Sequence, residues 1–170
     1  KMRFDHIFIF FDDPNDKTIN LAAPFNNVTV FRNTPELKSK QEGTPAFKRF
    51  GKTWDKEVMT RQMVNLDSAL PIAKNLGMDW VLHIDSDELF YSKEKDVGKI
   101  FANIPESVDA VKIKNLEIAP EKGNYGNCFA EGTLFKKDGY KYVAYANGKS
   151  AARCNGMTKS NGVHDFSCTG

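Results

Sequence analysis

Residues 80–91 read WVLHIDSDELFY, an apolar run that ends in Asp85 and Asp87 with Glu88 directly behind them. On extended chain, side chains two apart point to the same side, so Asp85 and Asp87 are expected to face one small volume. Left unpaired, two such carboxylates repel and one pKa rises. A divalent cation removes that conflict, and hard oxygen ligands suit Mn²⁺ or Mg²⁺. Two protein ligands leave coordination positions open, which phosphate oxygens commonly fill. The plain alternative is that the acidic residues only cap a following helix or decorate a turn.

The rest of the composition sets limits on function. The chain has 170 residues, which fits a single domain with a proper core, and a net charge of +2. That charge gives no basic field of the kind that captures nucleic acid. No apolar run reaches the length of a membrane span, and nothing at the start resembles a signal peptide. Cys128, Cys154 and Cys168 are odd in number and lack CxxC spacing, which argues against a disulfide framework and for a reducing, cytoplasmic compartment. A zinc site from Cys154, His164 and Cys168 matches no common spacing. The abrupt ends, KMRFDHIFIF and SCTG, are those expected of a fragment of a longer polypeptide.

The elements that must position the carboxylates can be read from periodicity. Residues 4–11, FDHIFIFF, are nearly all apolar, as expected for a strand covered on both faces; DDPND then makes a turn. Residues 28–32 read as a second strand, and 33–53, with two prolines and two glycines, as a long surface loop. Met59, Met63, Leu66, Leu70 and Ala73 recur at helical spacing. They predict a helix over 54–76, its methionines in the core, kinked or split at Pro71 and stopped by Gly77. A buried strand at 80–84, a helix near 94–103 and a strand over 110–118 follow. Short strands are then expected at 132–137, 140–145 and 149–153, with turns at Asp138-Gly139 and Asn147-Gly148. The order predicts an α/β fold with a mixed sheet, and ligands of open α/β sheets sit at the strands' carboxyl ends. Asp85 and Asp87 fall there.

Taken together, DHIFIFFDDPND, RQMVNLDSALPIAKNLGMDWVLHIDSDELF, GKSAAR and GVHDF resemble the nucleotide-sugar glycosyltransferases of GT-A fold, in particular the family 2 and family 92 types. Within these the pattern is most similar to the N-terminal glycosyltransferase domain of large chlorella viruses, which would put the protein in the host cytoplasm. The resemblance covers most of the chain, fades over 33–53, and implies one GT-A domain, a Rossmann-like mixed sheet flanked by helices, over 1–170. This sequence departs from the family at its start, where members carry a further strand and helix. GKS at 148–150 is no P-loop, because Val143 stands in the place of the first glycine.

The resemblance also implies roles. Asp87 would ligate the metal directly, Asp85 would reach it through water or hold the ribose, and the Ser86 backbone would approach the sugar nucleotide. Glu88 would support them by hydrogen bonding or start a helix. His164 would complete the metal shell from its GxH segment, its imidazole favouring Mn²⁺. Asp12 and Asp13 would read base and ribose, and Arg61 the uracil or diphosphate. Lys149 or Arg153 would neutralise the departing diphosphate. Glu131 and Asp165 are the candidates for a catalytic base, needed only by an inverting enzyme; His6 and His83 read as core histidines. The implied activity is metal-dependent transfer from a UDP-linked donor, such as UDP-glucose or UDP-rhamnose, to a glycan hydroxyl. Two other classes compete with it. One is a haloacid-dehalogenase-type phosphatase with Asp85 as nucleophile, against which Glu88-Leu89 stand where that family has Gly-Thr. The other is a sugar-nucleotide-binding module without catalysis.

Overall fold

β-branched and aromatic residues favour extended chain, and Ile7–Phe11 forms the first strand, β1. The second, β2 (Val28–Arg32), lies parallel to it, Ile7 opposite Val28 and Phe11 opposite Arg32. Parallel neighbours need a crossover, supplied here by the aspartate-rich turn and a one-turn helix, α1 (Ile19–Ala22), that the sequence reading missed. The computed structural model describes residues 2–121, 123–136 and 148–168. In it the strand expected over 4–11 starts only at Ile7, and it is not covered on both faces: Ile7 is 42% exposed and the rest are half-buried.

The expected surface loop at 33–53 is instead two helices, α2 (Pro35–Gln41) and α3 (Pro45–Phe50), and a 3-10 turn at Gly51–Thr53. Both start alike. Thr34 and Thr44 accept hydrogen bonds from the Leu37 and Phe47 amides, and a proline occupies the first helical position, where no N–H is needed. The long helix α4 (Val58–Asn75) begins four residues later than its apolar stripe suggested, and it runs through Pro71 without splitting. Gly77, at φ 74°, ends it in a left-handed turn, with the Met78 amide reaching the Ala73 carbonyl. The methionines were misread in part. Met63 packs against Ala46, Trp54 and Val64, but Met59 is 61% exposed. The buried face of α4 contains Thr60 and Asp67 instead. Asp67 accepts from the Ala46 amide at 2.7 Å and the Ser160 amide at 2.6 Å, so one buried carboxylate ties α4 to the start of α3 and to β6 (Thr158–Ser160).

The remaining strands are β3 (Trp80–Leu82), β4 (Ala110–Ile113), β5 (Lys149–Arg153) and β7 (Phe166–Cys168). β5 is central between β3 and β4, antiparallel to both, and β6 pairs with β7. Parallel and antiparallel pairing both occur, as a mixed α/β fold requires, but among the described residues they fall in separate small sheets. Ala151 and Ala152 have no exposed surface. Small side chains there let α5 (Val97–Ala102) pack closely, with Val97 and Phe101 against Ala151 and Trp80, Phe90 and Val111 around them. α5 is shorter than the expected 94–103, its start fixed by Asp96 accepting from the Lys99 amide. β4 stops at Ile113 rather than Ile118. Beyond it, Ile118 makes a single bridge to Phe135, all that is strand-like among the described residues, 132–136, of the expected 132–137. The strand expected at 140–145 and the turn at Asp138-Gly139 lie outside the described residues. The β6–β7 hairpin, which carries GVH, had no periodicity to mark it. No described helix is long and apolar enough to cross a membrane.

The chain enters β5 through Gly148, at φ 59°, where a Cβ would run into the Ile113 carbonyl oxygen. Only glycine adopts that conformation freely. Gly148→Ala should lower stability by more than about 2 kcal/mol, since the left-handed backbone alone costs about 1–2 kcal/mol and the clash adds to it. An unchanged denaturant midpoint would show that this entry to β5 is not fixed as described.

Candidate functional site

β1 is hydrogen-bonded to β2 on one edge and β3 to β5 on one edge, and neither has a second partner strand among the described residues. The other edges line one cavity of about 1210 Å³, which α4 and α5 also border. Asp85, Ser86 and Glu88 stand at its rim, just past the end of β3, because the ladder to β5 runs one residue beyond Leu82 through the His83 amide and Ser150 carbonyl.

The chain does not stay extended there. It turns through 85–88, closed by the Glu88 amide donating to the Asp85 carbonyl at 3.1 Å and the Asp85 amide donating to Glu88 Oε2 at 2.9 Å. The alternation of an extended strand therefore does not apply, and the two aspartates have different surroundings. Asp85 Oδ2 accepts from Lys149 Nζ at 2.5 Å and Oδ1 from Gln62 Nε2 at 3.1 Å, while Ser86 and Asp87 are exposed on the turn. Lys149 is the first residue of the buried central strand, its side chain 8% exposed, and Glu88 Oε2 lies 3.5 Å from the same ammonium. A lysine so buried needs a counter-charge, and the turn provides it.

The GVH segment comes back to this end of β3. His83 Nδ1 lies 3.1 Å from the Val163 carbonyl oxygen, and Ser150 Oγ donates to the His164 carbonyl at 2.6 Å. The His164 Nδ1 is buried with no hydrogen-bond partner among the described residues. Even so, no group of three or more His, Cys, Asp or Glu side chains among those residues is placed to hold a metal, so the expected set of Asp85, Asp87 and His164 is not assembled. The donor chemistry fits a cation more narrowly. Asp85 has both oxygens engaged, whereas Asp87 offers an exposed carboxylate, and the turn carries three carboxylates of which two, Asp85 and Glu88, share one ammonium. That excess of negative charge suits a divalent ion held by Asp87, with phosphate and water as its other ligands.

The other candidates separate. Asp12, at the end of β1, is gripped at both oxygens by Arg61, at 2.5 and 2.8 Å, and Arg61 also donates to the Trp54 carbonyl. Arg61 thus braces Asp12 against α4. Asp13 is exposed and accepts from the Asn15 amide, a local turn bond. Arg153 donates through Nε and Nη2 to the Ile104, Pro105 and Val108 carbonyls and lies 4.5 Å over the Trp80 ring, so its guanidinium is anchored in the fold. Glu131 belongs to α6 (Cys128–Glu131) and accepts from the Asn127 amide at the helix start. Asp165 pairs with Lys112 at 2.7 Å and lies 3.3 Å from Ser150 Oγ. The His6 side chain bonds to Thr29 across β1 and β2. Sequence reasoning missed Gln62 and Asn65, which line the cavity with Ala69 and Ala73. Their spacing of three and four is a second stripe on α4 that the methionines obscured.

The chain is 31% identical over 180 residues to one Arabidopsis thaliana protein named glycosyltransferase-like and 30% identical to another of the same description. Each similarity covers 89% of this chain, but only 40% and 35% of those proteins, so the chain spans well under half their length. Both support a glycosyltransferase relationship. No family model matches, and no solved structure does.

Burial, followed by the nearby Lys149 charge, holds the His83 pKa below its usual 6.5. An unfolded histidine titrates near that value, so below about pH 6.5 the unfolded chain takes up a proton that folded His83 resists. His83 therefore favours the folded state above that pH and ceases to do so as the pH falls. Denaturant midpoints should drop between pH 7.5 and 5.5, and His83→Gln should flatten the drop. Equal pH slopes in both proteins would remove His83 from this account.

Proposed function

We propose that the chain is a glycosyltransferase domain that moves a sugar from a nucleotide-diphosphate donor, UDP-linked as in UDP-glucose or UDP-rhamnose, to a hydroxyl of a glycan acceptor. The observation that carries this reading is the acidic turn 85–88 at the carboxyl end of β3, opening on the crevice between the two sheets. Ligands of open α/β folds gather at such strand ends, and the relatives named glycosyltransferase-like make sugar transfer the chemistry to test first.

Asp85, oriented by Lys149 and Gln62, retains lone pairs to accept ribose hydroxyls. The Ser86 backbone, exposed on the turn, approaches the diphosphate. Asp87 would hold Mn²⁺ or Mg²⁺, which when bound stabilises the negative charge growing on the leaving diphosphate. Lys149 adds a fixed positive charge beside it. Neither of the two candidate bases lines the crevice, but Asp165 adjoins Ser150 next to Lys149, whereas Glu131 caps α6. Asp165 is the better-placed acceptor for a proton from the incoming hydroxyl, provided that it leaves Lys112.

Calorimetry with UDP should give at least tenfold tighter binding in Mn²⁺ than in EDTA, and Asp87→Asn should abolish the difference with the circular dichroism spectrum unchanged. Equal affinity in metal and in chelator would overturn the metal-assisted reading. Absence of UDP binding under both conditions would overturn the donor class.

A further inference from the structure

Lys149 is in an unusual place for a charged residue. It opens the central strand of the sheet, where the next three residues are buried, and its ammonium is withdrawn from solvent. Its ion pairs among the described residues are with Asp85 Oδ2 at 2.5 Å and Glu88 Oε2 at 3.5 Å. The arrangement is fixed from several sides. Gln62 on α4 holds the other oxygen of Asp85, the Asp85 amide is bonded to Glu88, and Gly148 positions the start of β5 against the Ile113 carbonyl. The ammonium thus neutralises the carboxylate that sequence alone would assign to a metal, and only Asp87 of the two aspartates is left outward.

We propose that Lys149 is a built-in counter-ion that keeps Asp85 from ligating a divalent cation, so that the cation does not load on the protein alone but enters together with the donor's diphosphate. This rests on the reading of the site as a nucleotide-sugar site and adds an order of binding to it. The physical reason is ligand number and charge. A cation next to the turn meets one free carboxylate and is repelled by the neighbouring ammonium, which leaves it weakly held. Phosphate oxygens supply the missing ligands and the missing negative charge in one step. Lys149 is therefore a positioning residue, and its effect is on when the metal binds.

The consequence runs against the usual expectation for removing a residue from a site. In titrations followed by the electron paramagnetic resonance signal of free Mn²⁺, wild-type protein alone should bind the ion weakly, and added UDP should tighten that binding at least tenfold. Lys149→Met should bind Mn²⁺ at least tenfold more tightly than wild type without nucleotide, because Asp85 is released to act as a second ligand. Lys149→Met combined with Asp85→Asn should return to the wild-type level. A merely structural role for Lys149 would not produce a gain that depends on Asp85.

Circular dichroism and thermal melting check that the variants are folded, and Lys149→Gln serves if Lys149→Met is not. A folded Lys149 variant with unchanged Mn²⁺ affinity would overturn the inference, as would wild-type protein that binds UDP and yet holds Mn²⁺ equally tightly with and without it. The wild-type titration needs no variant, so it decides even if both substitutions unfold the chain. Failure of the donor reading looks different: the wild type then binds no UDP at any Mn²⁺ concentration, while the Lys149 variants still report on Asp85.

Discussion

A buried ammonium must be met by a carboxylate, and in this fold that requirement falls at the first residue of the central strand. Lys149 enters the sheet where small residues are needed for close packing, and its charge can be satisfied only by a group brought to that end of β3. The turn 85–88 is that group. Its conformation follows from two constraints acting together, its own backbone closure and the pull of Lys149 on Asp85. Fold and site are thus not separable here, because the contact that lets β5 be buried also sets the orientation of the acidic turn.

Charges inside the molecule repeat this logic elsewhere. Asp67 sits in the buried face of α4 and spends both oxygens on backbone amides of other elements. Arg153, at the far end of β5, spends its guanidinium on three carbonyls of the segment after α5. The sheet is small and its apolar core modest, so these polar ties fix how helices and strands meet. Leaving such a buried charge without its partner costs about 3–5 kcal/mol, which makes each tie a determinant of geometry as well as of stability.

What could be read in the sequence depended on how local the determining force was. β1, β2 and β5 were legible because aromatic, β-branched or turn-bounded runs mark themselves. The Thr-Pro pairs that start α2 and α3 were equally local, but a count of prolines and glycines suggested a loop and hid them. Met59 was placed in the core by spacing alone, although the face that is buried contains Thr60 and Asp67, and Asp67 has its partners, Ala46 and Ser160, 21 and 93 residues away. The acidic turn was visible as a place where chemistry could occur. Its inner arrangement was not, since Lys149 and Gln62 reach Asp85 across 64 and 23 residues. Arg153 and Arg61 show the same limit: a guanidinium in a promising motif can be engaged by backbone carbonyls, or by a carboxylate and a carbonyl together.

Among the described residues, the two strands that face the crevice each leave an edge without a strand partner, and such edges are sticky, since any extended chain can hydrogen-bond to them. The sequence around them is arranged against that. Asp5 precedes β1 and Asp12 and Asp13 follow it, while Asp79 precedes β3 and Asp85 follows it. Asp12 and Asp85 are taken by Arg61 and Lys149, but beside each edge stands at least one exposed carboxylate, Asp5 and Asp13 at β1 and Asp79 at β3, that repels the same edge of another copy. The charge on these aspartates thus bears on colloidal solubility as well as on chemistry. A substitution chosen only to probe chemistry at Asp13 removes one of these gatekeepers as well.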